Sequence, residues 1–345
     1  MRLKPISQAE PLYLVSSDLN YSRTGTFLGK NRQKDVMNLP NSFRKLLKVI
    51  LSWEVLHEIR RRKLVVCSPA RSLVILCWLA GNRNILLDAG WPLSDSVDSK
   101  TFKQRLKTKK VFCLDFLSFQ LSKGVIFESD TQLKRSTKRF LIKKNKCYRI
   151  YTGFDETKSH SHLNLDSQSP KRLKVFFRGK MNAEAGEERL GLISFQINSL
   201  AQLVVYSNKI ESPNNFHPAT ETRVGNLPFA EIESAYIESA VVLGQLGNSP
   251  RLEWTIPHKI FEAAYYGKPI IAVRNKGLCE LFSEEEILYI DNNSESEILS
   301  ALELLLKNDQ LRRKFSTNIK LKYDSQLKQT ILENQFLDLV NKIFS

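Results

Sequence analysis

Between Arg251 and Val273 the chain reads RLEWTIPHKIFEAAYYGKPIIAV, a helix-forming stretch that ends at a glycine and runs into an apolar strand, with one carboxylate, Glu262, in its middle. Thr255 is placed to cap the helix, Pro257 fits its first turn, and Gly267 followed by Pro269 ends it. Ile256, Ile260 and Ala264 recur at i, i+4 and i+8 and form a face for packing on a sheet, which leaves His258, Lys259 and Glu262 on the other side. Two chemistries fit that side. Lys259 and Glu262 can form an i, i+3 surface ion pair. Alternatively, the free amides and dipole of the helix start, around Thr255, His258 and Lys259 with Arg251 upstream, hold a phosphate while Glu262 bonds a sugar or ribose hydroxyl.

Three further stretches carry chemistry in the N-terminal half. YLVSSDLNYSRTGTFLGK (Tyr13–Lys30) puts a polar loop after a strand, where Gly25 either lets the backbone approach a phosphate or is simply a turn residue. LLDAGWPLSDS (Leu86–Ser96) places Asp88, Trp91 and Asp95 at a strand end, the side where α/β sheets bind ligands; a sugar can stack on Trp91 while an Asp takes its hydroxyls, or Trp91 and Pro92 merely pack a loop. KTFKQRLKTKK (Lys100–Lys110) has six basic residues, no acid, and Phe102 and Leu106 at i, i+4; taken by itself, such a run is a solvated basic face.

The elements that must position these residues follow a βα rhythm. Candidate strands are Leu12–Ser16, Leu64–Cys67, Asn84–Leu87, Val111–Cys113, Gly124–Phe127 and Tyr148–Tyr151, with helical stretches at Phe43–Arg62 and Ser72–Ala80. After the polar, aperiodic stretch ETKSHSHLNLDSQSPKRL a second series begins, Lys174–Phe177, Leu203–Val205, Ala240–Gly244, Pro269–Val273 and Ile287–Ile290. Ser294 and Glu297 fit a capping box for a helix Glu295–Leu306, and helical periodicity continues to the C-terminus. Two βα series joined by one linker predict an α/β protein with two Rossmann-like domains and a cleft between them.

Several pieces together resemble retaining GT-B glycosyltransferases of the family 4 (group 1) type. IPHKIFEAAYYGKPIIAV resembles their donor-site helix and strand, YRIYTGFDE (Tyr148–Glu156) their interdomain hinge, and KVFFRGK (Lys174–Lys180) a strand ending in a phosphate-binding Arg. GNLPFAEIESAYIESAVVLGQ (Gly225–Gln245) and NKGLCELF (Asn275–Phe282) follow in the family's order. The resemblance implies a GT-B fold, with residues 1–157 binding the acceptor, 158–172 as linker, 173–322 binding the nucleotide-sugar and 323–345 as a helix packing back on the N-terminal domain. It implies that Glu262, as the second Glu of an E-x7-E motif, binds the donor ribose, and that Arg178 neutralises the departing diphosphate. Two departures stand out. Trp254 occupies the first Glu position, with Glu253 the nearest acid, and Ala185 beside Gly186 occupies the family's Lys position, for which Lys180 substitutes.

Bulk properties narrow the class. The net charge of +16 is one-sided: residues 1–170 carry 31 Lys and Arg against 14 Asp and Glu, a net of +17, while residues 171–345 are near neutral. Such a half favours an anionic partner. The five cysteines and five histidines show no metal-ligand spacing and no CxxC pair, which fits a reduced cytoplasmic protein, and MRLKPISQAEPLYLV lacks the apolar centre of a signal peptide. No DxD triplet, Walker loop or G-x-G-x-x-G occurs, so no metal or tightly held cofactor is expected, the nucleoside-diphosphate sugar being a co-substrate. The expected function is transfer of a sugar to a glycan or lipid-linked hydroxyl (EC 2.4), cytoplasmic, with Lys100–Lys110 docking on the cytoplasmic membrane face. Its rivals are a GT-B epimerase or hydrolase of the nucleotide-sugar, and a basic nucleic-acid-binding protein. The basic residues are not interleaved with any reading module, which argues against the second.

Overall fold

In each half of the chain the apolar runs pair as parallel strands with helices between them. The computed structural model describes residues 11–15, 22–29, 35–40, 43–67, 70–96, 101–159, 172–181, 185–210, 212–247, 250–292 and 294–345. The chain divides into two units, Met1–Thr152 with Gln329–Ser345, and Gly153–Lys328. Most of the expected linker, residues 160–171, lies outside the described residues, as do Ser16 and Lys100.

The first unit holds β1 (Leu12–Val15), β2 (Val36–Asn38), β3 (Leu64–Val66), β4 (Ile85–Gly90), β5 (Gly124–Phe127) and β6 (Cys147–Arg149) in the order β2-β1-β3-β4-β5-β6, all parallel. β3, β4 and β5 are buried throughout, which is why they read as unbroken apolar runs and not as alternation. Around them lie α1 (Ser22–Leu28), α2 (Phe43–Ile50), α3 (Trp53–Arg61), α4 (Arg71–Leu79), α5 (Phe102–Leu121) and α6 (Asp130–Arg139). The C-terminal helix Gln329–Phe344 belongs to this unit too, stacking Phe336 on Phe27 with ring centroids 4.7 Å apart.

Four sequence expectations change here. The helix expected over Phe43–Arg62 is two helices, because Ser52 is extended (φ −65°, ψ 139°) between them. Val111–Cys113 is not a strand; Thr101 and Gln104 form a capping box that starts α5, and three apolar residues are too few to interrupt it. β2 went unread because it is short, partly exposed and at a sheet edge. Gly25 is not in a loop. It is a buried residue inside α1, where its carbonyl accepts from Gln329 Nε2 at 3.4 Å.

The second unit holds β7 (Leu173–Arg178), β8 (Ala201–Ser207), β9 (Glu221–Val224), β10 (Val241–Leu243), β11 (Ile270–Val273) and β12 (Leu288–Ile290), parallel in the order β12-β11-β10-β7-β8-β9. Its helices are α7 (Glu187–Gln196), α8 (Phe229–Glu238), α9 (His258–Tyr265), α10 (Lys276–Leu281), α11 (Glu295–Lys307) and α12 (Asp309–Lys322). A π-helical turn, Tyr323–Leu327, follows α12 and stays with this unit: Tyr323 donates to Glu156 at 2.9 Å and meets Tyr265 edge-on. The final helix therefore begins at Gln329, which makes it α13 (Gln329–Phe344), and not at residue 323. Only half of the expected capping box forms at α11. Ser294 accepts from the Glu297 amide, but the Glu297 carboxylate turns to the amides of Asp291 and Asn292 at 2.8 and 2.7 Å. β9, the polar edge strand ETRV, gave no alternation to read. Among the described residues no helix is long and apolar enough to cross a membrane.

Candidate functional site

Pro257 decides how the opening stretch folds. It is the N-cap of α9, makes no side-chain cap bond, and disfavours helical backbone in the residue before it. Thr255 is thus not the cap. It closes a short 3-10 turn, Leu252–Trp254, and its hydroxyl donates to the Arg251 carbonyl at 3.3 Å. From His258 the helix is buried on nearly every side: Ile260, Ala263 and Ala264 are inaccessible, and so nearly are Lys259 (6% exposed) and Glu262 (3%). The polar face is not simply open to solvent: Glu262 meets Tyr236 of α8 and Lys259 lies over Phe177 of β7, while His258 stays half-buried.

Glu262 makes no surface pair with Lys259. One oxygen, Oε1, receives Arg178 Nη1 from the end of β7, and His258 Nδ1 lies 3.3 Å from it. The other, Oε2, accepts from the Tyr236 hydroxyl at 2.6 Å. Burial pushes the carboxyl upward, but the Arg178 charge and the His258 hydrogen bond outweigh it and hold Glu262 well below the usual carboxylate range. Burial, and then the Glu262 charge, raise the Tyr236 phenol well above its ordinary value. The result is an acceptor-only carboxylate faced by permanent donors.

Lys259 turns away from this cluster. Its Nζ lies 3.1 Å from Gln245 Oε1 and 3.4 Å above the Phe177 ring centroid. Gly179, just past β7, makes room for it: a Cβ there would come within 3.0 Å of that Nζ. Next to Gln245 opens a pocket of about 350 Å³ at the ends of β10 and β11, walled by Gly247, Leu252, Glu253, Pro257 and Val273 among others. Glu253 pairs with Lys276 Nζ at 3.1 Å, and that ammonium lies 4.4 Å over the Trp254 ring. Gly277 lets α10 abut this turn, since a Cβ would meet the Thr255 backbone at 3.0 Å.

Of the sequence candidates, Arg178, His258 and Glu262 converge, Lys259 sits on the neighbouring turn of α9, and Glu253 lines the adjacent pocket. Arg251 begins the 3-10 turn and Lys180 is exposed beyond β7. Tyr236 and Gln245 went unread. A tyrosine among apolar helix positions reads as core, and the only hint is that a buried phenol needs a partner.

In the first unit, Asp88 is 1% exposed and accepts from Arg23 Nε at 2.8 Å; Arg23 Nη1 also donates to the Ile150 carbonyl and Thr152 Oγ1 at 2.9 and 3.1 Å. Burial raises the Asp88 carboxyl although Arg23 opposes it. Asp95 is held by Arg135, Arg139 and Gln132, the last at 3.2 Å. Trp91 donates through Nε1 to Ser96 Oγ at 3.3 Å, and its carbonyl accepts from Arg71 at 2.6 Å. Both acids are therefore engaged by arginines, and Trp91 alone of the three keeps a half-buried ring. Among the described residues no three His, Cys, Asp or Glu side chains gather as a metal site.

Residues 195–328 match a family model described as glycosyl transferase-like, a stretch that contains Tyr236, Glu253 and Glu262 and begins after Arg178. No curated protein matches the chain significantly. Among solved structures, Anabaena HepE in complex with UDP and glucose is similar at a TM-score of 0.72 and 11% identity, over 96% of this chain and 99% of that one. Sucrose-phosphate synthase from Thermosynechococcus elongatus is similar at 0.71 and 14% identity, over 90% and 83%, and a glycosyltransferase from Rickettsia africae at 0.69 and 11%, over 97% and 98%. The chain has the GT-B fold, as expected from its sequence.

Proposed function

We propose that the chain is a retaining glycosyltransferase of the family 4 type that moves a sugar from a nucleoside diphosphate to an acceptor hydroxyl without a metal. The observation that carries this reading is the buried, ionised Glu262 tied to Arg178 at the end of β7, on a helix whose N-cap, Pro257, lines a pocket large enough for a nucleobase. An acceptor-only carboxylate suits ribose hydroxyls, which donate. Arg178 and Lys259, with Lys180 at the surface, supply fixed positive charge for the departing diphosphate, and Glu253 on the pocket wall is the acid assigned to the sugar. Bond breaking leads, and the acceptor hydroxyl attacks from the same face. The first unit holds the acceptor, with Trp91 as a stacking surface.

HepE has been crystallised with UDP and with UDP-glucose, which makes a uridine donor the first to test. In a thermal-shift panel of UDP-, GDP-, ADP- and TDP-sugars, one donor should raise the melting temperature, because a ligand of the native state stabilises it. No shift with any of them at millimolar concentration would refute nucleotide-sugar binding. Release of free sugar or an epimer with no acceptor present would favour the epimerase or hydrolase instead.

The basic first unit docks, in this proposal, on an anionic membrane from the cytoplasmic side. On α5, Phe102 is 75% and Leu106 52% exposed, amid the exposed Lys103, Arg105, Lys107, Lys109 and Lys110. Apolar side chains held out of a helix among cations suit a lipid interface. The chain should co-sediment with vesicles containing phosphatidylglycerol and not with pure phosphatidylcholine. Phe102→Ser with Leu106→Ser should weaken that binding about ten-fold or more. Equal binding by the double variant would limit the contact to charge.

A further inference from the structure

We propose, resting on the reading of Glu262 as the ribose contact, that Tyr236 is a positioning residue of the donor site: its hydroxyl fixes the Glu262 carboxylate in the orientation that meets the ribose. A glutamate has three side-chain torsions to order, and Arg178, whose side chain is 32% exposed, holds only Oε1. Oε2 is fixed by the Tyr236 hydroxyl at 2.6 Å. Because the ionised carboxylate can only accept, the tyrosine must donate, and the direction of the bond is set.

Tyr236 can do this because it cannot itself move. Its ring is fully buried, stacks on Tyr266 with centroids 5.3 Å apart and planes 14° apart, and meets Phe176 of β7 edge-on at 4.9 Å. Tyr266 is pinned in turn, donating to Glu233 of α8 at 3.1 Å, and Glu233 also accepts from Ser159 at 2.5 Å. The hydroxyl is thus located by β7, α8 and the end of α9 together. A second carboxylate oxygen held this firmly keeps the rotamer constant when ligand arrives, so binding does not have to order it.

The test compares Tyr236→Phe, Tyr266→Phe and Glu262→Gln with the wild-type chain. The probe is whichever of UDP, GDP and ADP gives the largest thermal shift, alongside its 2′,3′-dideoxy form. Tyr236→Phe keeps the ring and should weaken the ribonucleotide about ten-fold, while the dideoxy form, with no hydroxyl for Glu262 to read, should change less than about two-fold. Tyr266→Phe keeps the stacked ring and loses only the hydroxyl that pins it to Glu233, so it should weaken the ribonucleotide less than Tyr236→Phe does and leave the dideoxy form in place. Equal losses on both nucleotides with Tyr236→Phe would mean that the phenol only holds the fold, and would overturn the role. So would an unchanged ribonucleotide affinity in Tyr236→Phe when Glu262→Gln has lost it. If Glu262→Gln itself binds the ribonucleotide as tightly as wild type, it is the reading of Glu262 that fails, and the positioning role fails with it.

Discussion

Glu262→Gln should lower donor affinity by about 10- to 100-fold, measured by calorimetric titration of the nucleotide. A hydrogen bond to a charged group is worth about 1.5–3 kcal/mol, and the amide replaces an acceptor-only oxygen with a donor. The substitution also leaves Arg178 without its partner and faces an NH₂ against either Arg178 or Tyr236, both of which donate. Glu262→Ala should go further and abolish detectable binding and transfer. Unchanged affinity in either variant would refute the assignment.

The same carboxylate gives a pH signature. Its folded value lies below the ordinary 4.5, so its contribution to stability is complete above that value and is lost as the pH falls through and below it. The stability difference between wild type and Glu262→Gln should therefore shrink from pH 6 towards pH 3 in urea titrations. A constant difference over that range would mean that the carboxylate is not held ionised by Arg178 and His258.

Arg178→Ala should reduce kcat about 10²- to 10³-fold with a smaller change in KM, because a charge aimed at a developing diphosphate acts mainly in the transition state. Arg178 also neutralises Glu262, and that observed pairing must be separated from the proposed phosphate role. Arg178→Lys retains the charge but not the planar fork that reaches two acceptors at once, so it should recover stability more fully than kcat. If KM rises while kcat stays near the wild-type value, Arg178 serves only as the counter-ion of Glu262, and another cation, such as Lys259, carries the phosphate.

How much of this was legible follows from the range of each interaction. The buried central strands could be read because a parallel strand covered on both faces is a continuous apolar run. The edge strands β2 and β9 could not, since partly exposed residues at a sheet margin need no pattern. The order of the motifs singled out Arg178 and Glu262, 84 residues apart. Their contact with each other was not foreseen, because sequence spacing within one helix shows only i, i+3 and i+4 neighbours. That limit also produced the surface pairing of Lys259 with Glu262.

By itself, then, the sequence determined the βα rhythm, the two-part organisation, the one-sided charge and the short list of candidate residues that includes Arg178, His258 and Glu262. Tertiary structure alone decided that Glu262 is buried, that Tyr236 of α8 reaches it, and that Tyr236 and Arg178 divide its two oxygens between them. It also removed Thr255 from the helix cap and placed Gly25 inside a helix. The physical reason is common to these cases. Whether a polar residue is solvated or held depends on the elements packed over it from distant parts of the chain, and local pattern carries no record of what those elements bring.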